Sequence, residues 1–242
     1  MNQNEESKIR DFLAKNLDLL PTLVSNLTEV RDVLEREEEE FKAIDHPGGP
    51  RPVDLVRRTL SRRNLRGLRS FYGLEVIEIE MPLLNTGQPG FQPSADILAR
   101  CYEDSRLFLI EVKRMAATER EAVTELSAYT HGLNARIWNL TQSDYAWIPI
   151  SSEWRTTVRA AFANEVIFAN RPVLPMLCEV TQSETGAVTS VGLKLISLLQ
   201  DVDEPTACAQ FAWSCFDTLA FELQKEPAEP RALLEFISAC AA

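Results

Sequence analysis

The chain has 242 residues, 45% of them hydrophobic, and a formal net charge of −11. That length suits one large domain or two small ones, and that apolar fraction suits a packed core. The acidic balance excludes a typical nucleic-acid binder at the level of the whole molecule, because neutralising phosphates takes clustered Lys and Arg. Any nucleic-acid contact must come from local charge.

Five cysteines, Cys101, Cys178, Cys208, Cys215 and Cys240, show no CxxC spacing, and His46 and His131 lie far from them in sequence. A zinc site is therefore not expected, and reduced thiols in a cytoplasm are the reading. The polar, acidic start MNQNEESKIR does not resemble a signal peptide. No apolar run approaches the roughly 18 residues of a membrane span. A soluble cytoplasmic protein with no membrane partner is expected.

In chain order, Ile9, Phe12, Leu13, Leu17, Leu19 and Leu20 fall at helical spacing over 5–20, and Pro21 is expected to end that helix. A second helix is expected from about Leu23 to Ala43, with the acidic run at 35–40 on a solvated face. The segment Asp45–Pro52, DHPGGPRP, is the clearest break. Arg51, Arg57, Arg58, Arg62, Arg63, Arg66 and Arg69 follow within nineteen residues, over a helical stripe of Val56, Leu60, Leu65 and Leu68. Two readings stand here. The arginines pair with the acidic run before them, or Arg57, Arg58, Arg62, Arg63 and Arg66 form a face that grips phosphates bidentately.

LEVIEIEMPLL (74–84) alternates apolar and acidic residues and reads as a strand with one wet face. After a loop, SADILARCYEDSRLFLIEVKR reads as two strands around a turn at Glu103–Asp104. A helix is expected over 119–133, a strand over Tyr145–Ile150, and a helix capped by Ser152 with Glu153 in its first turn. PVLPMLCEV and VGLKLISL read as strands flanking a turn, and two helices, about 206–224 and 230–241, close the chain. Trp138, Trp147, Trp154 and Trp213 read as packing. His46 reads as structural, and His131 lies near the core segment without an assigned role. No Gly-x-Ser-x-Gly elbow supports a serine hydrolase.

The chemistry concentrates at LFLIEVKRM, 107–115, where an apolar strand ends in Glu111, Val112 and Lys113. With the turn at Glu103–Asp104, opposed residues on the hairpin sum to 207, which sets Asp96 opposite Glu111. A loop one residue longer would shift that register. Opposed residues share a face with Cβ atoms roughly 5 Å apart, and Lys113, two residues on, points to the same face. Two facing carboxylates repel, and a divalent ion such as Mg²⁺, which takes one or two carboxylates and keeps its waters, relieves that repulsion. The alternative for Glu111 and Lys113 is a cross-strand salt bridge at a sheet edge. The strongly apolar run before Glu111 argues for a central strand, where charges need partners.

SADILAR…LFLIEVKR resembles the core of the PD-(D/E)XK nuclease superfamily, an Asp followed by Glu-x-Lys on the next strand. The resemblance covers 96–133 well and the first twenty residues loosely. It implies an α/β fold: a restriction-endonuclease-like core with a central mixed sheet flanked by helices, plus N- and C-terminal helical additions. The expected division is a helical, Arg-rich segment at 1–70, the nuclease core at 71–150, and an α/β extension of the same unit at 151–242. The resemblance further implies Mg²⁺ or Mn²⁺ held by Asp96, Glu111 and the Val112 carbonyl, with Lys113 assisting catalysis. EESKIRDFLAKNLDLL is similar to the opening helix of archaeal-type repair and mismatch endonucleases, which carries over an acidic ligand onto Glu6, with Glu5 as the fallback. AVTELSAYTHGL resembles a segment with a Gln-Leu-x-x-Tyr pattern, matched by Glu125, Leu126 and Tyr129. Glu125 replaces the Gln. It either adds a ligand or repels phosphate. The implied activity is Mg²⁺-dependent hydrolysis of DNA phosphodiesters, in repair or defence, with Tyr129 near the nucleic acid. An acidic chain of this kind would engage DNA with a protein partner, as a homo-oligomer or on an unusual substrate. The other reading is a nuclease fold kept as an inactive nucleic-acid- or protein-binding assembly module.

Overall fold

A computed structural model of the chain describes residues 3–44, 50–82, 94–113, 119–137, 139–141 and 144–202. The loop expected after 84, most of the Gly/Pro break and both closing helices lie outside the described residues, as do Trp138 and Trp213.

The fold is α/β, a six-stranded mixed sheet flanked by helices. Four helices lead: α1 (Gln3–Lys15), the one-turn α2 (Leu20–Leu23), α3 (Leu27–Lys42) and α4 (Pro52–Arg69). Then come β1 (Leu74–Pro82), β2 (Ser94–Cys101), β3 (Leu107–Lys113), α5 (Glu119–Arg136), β4 (Tyr145–Ser151), α6 (Thr156–Phe168), β5 (Met176–Gln182) and β6 (Val188–Leu195). The strands lie in chain order. The β1–β2, β2–β3 and β5–β6 pairs are antiparallel, and the β3–β4 and β4–β5 pairs are parallel. Strands β3 and β4 are therefore central, and all seven residues of β4 and all but Lys113 of β3 are buried, as expected for strands covered on both faces. Among the described residues no helix is long and apolar enough to cross a membrane.

Three local expectations are corrected. Pro21 does not end a helix. Helix α1 stops at Lys15, a 3₁₀ turn spans Leu17–Leu19, and Pro21 sits in the first turn of α2, where its missing N–H has no helical acceptor to lose. Helix α3 starts at Leu27 rather than Leu23, because the chain at 24–26 docks on β6. Val24 bridges Leu193, and the Asn26 side chain both donates to the Leu195 carbonyl (2.9 Å) and accepts from its N–H (2.8 Å). Ser152 does not cap α6, which begins at Thr156 after Arg155. The residues between serve packing instead: Trp154 Nε1 donates to the Met176 carbonyl (3.0 Å) and its ring lies 5.7 Å from that of Phe162.

The arginine helix is one continuous element, and it pairs with the acidic run. Arg57 is bound bidentately by Glu37, and Arg58 and Arg62 approach Glu38 at 3.9 and 3.8 Å. Arg63 donates to the Val166 and Ile167 carbonyls at the end of α6, and Arg66 to the carbonyl and side chain of Asn170. Arg58 also stacks on Phe41, 4.3 Å from the ring centre. Arg58 and Arg63 are buried and take part in helix packing. Arg57 and Arg66 also donate within the fold, whereas the Arg62 side chain is 45% exposed beside Glu38.

Gly67 marks where α4 meets the 171–174 segment. A Cβ there would lie 2.7 Å from Cβ of Pro172. Gly67→Ala gains about 1 kcal/mol in helix propensity but forces two buried backbones apart, which costs about 1–3 kcal/mol. The expected net is a lower melting temperature, measured by calorimetry, with no change in helix content.

Candidate active site

The hairpin register is the one the turn implies. Ile97 pairs with Ile110, Leu98 with Leu109, Ala99 with Phe108 and Arg100 with Leu107, each summing to 207. The loop is closed by Cys101 and Arg106, with Ser105 at φ +61°. One step beyond Ile97 the regular ladder stops. There the Asp96 side chain replaces it, and Oδ2 accepts the Val112 N–H at 2.8 Å. The N–H and C=O of one strand residue face the same edge, so the Val112 carbonyl also leaves β3 on the Asp96 side, beyond the last β2–β3 pair.

Glu111 is 3% exposed. Its Oε1 lies 2.8 Å from Lys113 Nζ, and the same ammonium lies 2.7 Å from Glu125 Oε2 on α5. Glu111 Oε2 is buried and has no hydrogen-bond partner. Helix α5 packs on β2, β3 and β4 through Ala122, Leu126, Tyr129 and Leu133, all buried, and this stripe sets Glu125 over Lys113. Tyr129 is buried beside the same carboxylates. Burial, then the charges of Glu111, Glu125 and Asp96, push its hydroxyl well above the usual range.

Helix α1 closes the other side. It is tied to the β5–β6 hairpin by Lys8 Nζ donating to the Gly186 carbonyl (2.7 Å) and by Gln182 Nε2 donating to Glu5 (2.5 Å). Glu6 lies close enough for its charge to act on Asp96. So Asp96, Glu111, Val112, Lys113, Glu125, Tyr129 and Glu6 come together, whereas Arg57, Arg58, Arg62, Arg63 and Arg66 contact α3, α6 and Asn170. Glu5 bonds to Gln182.

Two residues of the site were not read from the sequence. Arg10, one helical turn after Glu6, places Nη1 3.9 Å from Asp96 Oδ1 and is bound by Glu80 of β1. A bulge between Val76 and Glu78 shifts the β1–β2 register, which sets Glu80 opposite Asp96. Glu80 has φ +53°, a left-handed conformation uncommon for a non-glycine residue. The i, i+4 spacing of Glu6 and Arg10 was a visible signal for Arg10. Nothing in LEVIEIEMP announces the bulge.

Electrostatically the site is under-neutralised. Burial raises Asp96 to about 6, opposed by the Val112 N–H and by Lys113 and Arg10. Burial and then the charge of Asp96 raise Glu111 well above its ordinary value. For Lys113, burial favours the neutral form, but Glu111 and Glu125 outweigh it and hold the ammonium above its usual range. Among the described residues, Asp96, Glu111 and Glu125, with Glu6 beside them, face two cations, Lys113 and Arg10.

Among the described residues no three His, Cys, Asp or Glu side chains form a metal-holding group. The donor set is smaller and of the kind Mg²⁺ accepts: two carboxylates and a backbone carbonyl. The unpartnered Glu111 Oε2 is the atom that most needs such a partner, because a buried acceptor without one costs about 1–3 kcal/mol. Asp96, Glu111 and the Val112 carbonyl therefore fit a divalent ion. No protein-family model matches the chain, and neither a curated protein nor a solved structure does.

Proposed function

We propose that the chain is a Mg²⁺-dependent deoxyribonuclease of the PD-(D/E)XK type, built on a restriction-endonuclease-like core. The observation that carries this reading is the end of the β2–β3 hairpin: Asp96 accepts the Val112 N–H, Glu111 keeps a buried, unpartnered oxygen, and Lys113 stands 2.8 Å from the same carboxylate. A structural salt bridge needs Glu111 and Lys113 but gives no reason for Asp96 to break the ladder beside them.

Asp96, Glu111 and the Val112 carbonyl would hold the ion, with Glu6 adding negative charge. Bound there, Mg²⁺ supplies a water of lowered pKa and charge neutralisation at the phosphate. Lys113 remains an ammonium, so it serves as an electrostatic and hydrogen-bonding group toward the attacking water or the developing phosphorane charge, rather than as the base. Glu125 positions that ammonium, and Tyr129 is buried beside the same carboxylates. The short-range ion pairs of Lys113 also support the second reading, a nuclease fold kept as an assembly module, since both partners of its ammonium are already within the protein.

The experiment incubates purified protein with single-stranded, duplex and branched DNA in Mg²⁺ or Mn²⁺, beside Glu111→Gln. Cleavage that needs the ion and vanishes in the variant is expected. Equal product from both proteins on every substrate would leave the assembly reading.

A further inference from the structure

We infer that Arg10 is a positioning residue that restrains cation binding at Asp96, a resident counter-charge set into the ion site by helix α1 and strand β1. This rests on reading Asp96 and Glu111 as ion-binding carboxylates.

The guanidinium is fixed by groups other than Asp96. Nε donates to Asp11 (3.2 Å), Nη2 to Ser7 (2.9 Å) and Asp11 (3.2 Å), and Nη1 to Glu80. All three nitrogens are thus engaged, and the side chain is only 11% exposed. At 3.9 Å its approach to Asp96 Oδ1 is an ion pair without a hydrogen bond. Asp96 therefore lies beside a guanidinium whose place is set by Ser7, Asp11 and Glu80, and which has no reason to leave when a cation arrives. The second cation of the site, Lys113, differs. Its partners are the carboxylates Glu111 and Glu125 themselves.

The geometry of Glu80 supports a dedicated anchor. Were β1 regular, the residue opposite Asp96 would be Ile79. The bulge sets Glu80 there instead, in a left-handed conformation that delivers its carboxylate to Arg10. Such a conformation persists only where the surroundings demand it.

A fixed unit charge at this distance in a partly buried setting weakens a divalent cation's hold on Asp96. Removing it should tighten binding by roughly 5- to 50-fold. The test is Mn²⁺ titration of the full chain, followed by the loss of the free-ion electron paramagnetic resonance signal. The proteins are wild type, Arg10→Met, Arg10→Gln, Arg10→Lys and Asp96→Asn. The expected result is tighter Mn²⁺ binding by Arg10→Met and Arg10→Gln, near wild-type binding by Arg10→Lys, and loss of the site in Asp96→Asn. Gln retains donors for Ser7 and Asp11, so it reports on charge should the Met variant fold poorly, and damage to the site would weaken binding rather than tighten it. Binding by both neutral variants that equals or falls below wild type overturns the role of Arg10 while leaving the ion site in place. Absence of Mn²⁺ binding in every protein overturns both.

Discussion

Lys113→Met is expected to slow Mg²⁺-dependent DNA cleavage by about 10²–10³-fold under single-turnover conditions, the cost of removing one preorganised charge from a buried site. The magnitude follows from where the ammonium stands. It lies within 2.8 Å of Glu111 and 2.7 Å of Glu125 and is 15% exposed, so water cannot replace it. Because those carboxylates hold it above its usual range, the wild-type rate should rise through the titration of the carboxylates and then stay flat, with no rising limb from a lysine acting as base. A second rising limb well above neutrality would refute the electrostatic role. The same substitution has a structural cost, since it strands Glu111 and Glu125 without their cation. Breaking a buried pair in this way costs about 3–5 kcal/mol, less whatever protonation of Glu111 recovers. Lys113→Met combined with Glu111→Gln should therefore melt higher than Lys113→Met alone yet remain inactive, which separates lost folding from lost chemistry.

The site was legible in the sequence to the extent that local rules govern it. A hairpin's register follows from its loop, so placing the turn at Glu103–Asp104 was enough to set Asp96 against Glu111. The loop is wider than that pair, but it is centred on it, and the sum is unchanged. The apolar run Leu107–Ile110 showed that β3 is central, which made the charges after it meaningful. The α5 stripe of Ala122, Leu126 and Tyr129 gave both the helix and the face that carries Glu125.

What was not legible depended on contacts distant in sequence. Arg10 and Asp96 are 86 positions apart, and they meet because α1 is tied to the β5–β6 hairpin through Lys8 and Glu5. Glu80 enters through a bulge that period-two alternation does not reveal. The arginines of α4 admitted two readings from their density alone. In the fold the acidic helix α3 pairs with Arg57 and lies 3.9 and 3.8 Å from Arg58 and Arg62, and backbone carbonyls at the end of α6 accept from Arg63. Composition counts the charges and cannot say which of them the fold has already neutralised.

Asp96→Asn is expected to make the metal-free protein more stable at pH 7.5 and to abolish its response to Mg²⁺. Burial lifts Asp96 from an ordinary 3.8 to about 6, so the folded state holds this proton more tightly than the unfolded chain does. The stabilisation that this gives is complete below about pH 4 and is lost as pH rises through about 6. At neutral pH the ionised carboxyl therefore destabilises the fold, by roughly 2–3 kcal/mol for a shift of about two units, and by less to the extent that its 22% side-chain exposure lets water screen it. Asn removes the charge while its Oδ1 can still accept the Val112 N–H, so the ladder's substitute hydrogen bond survives. The expected rise in melting temperature at pH 7.5 is about 4–8 °C, shrinking toward zero near pH 4, where wild-type Asp96 is itself largely protonated. Mg²⁺ inverts the order, because a ligand that binds only the folded state adds stability with the logarithm of its concentration over Kd, and only the wild type retains the site. Calorimetry at both pH values with and without Mg²⁺ measures all four arms. A variant less stable than wild type at pH 7.5 without metal, or one that gains as much from Mg²⁺, would refute it. The physical content of the expectation is that Asp96 is unfavourable to the fold at neutral pH: it keeps a charge in a buried hairpin end where a neutral side chain would serve the backbone equally well, and cation binding supplies the compensation that folding alone does not.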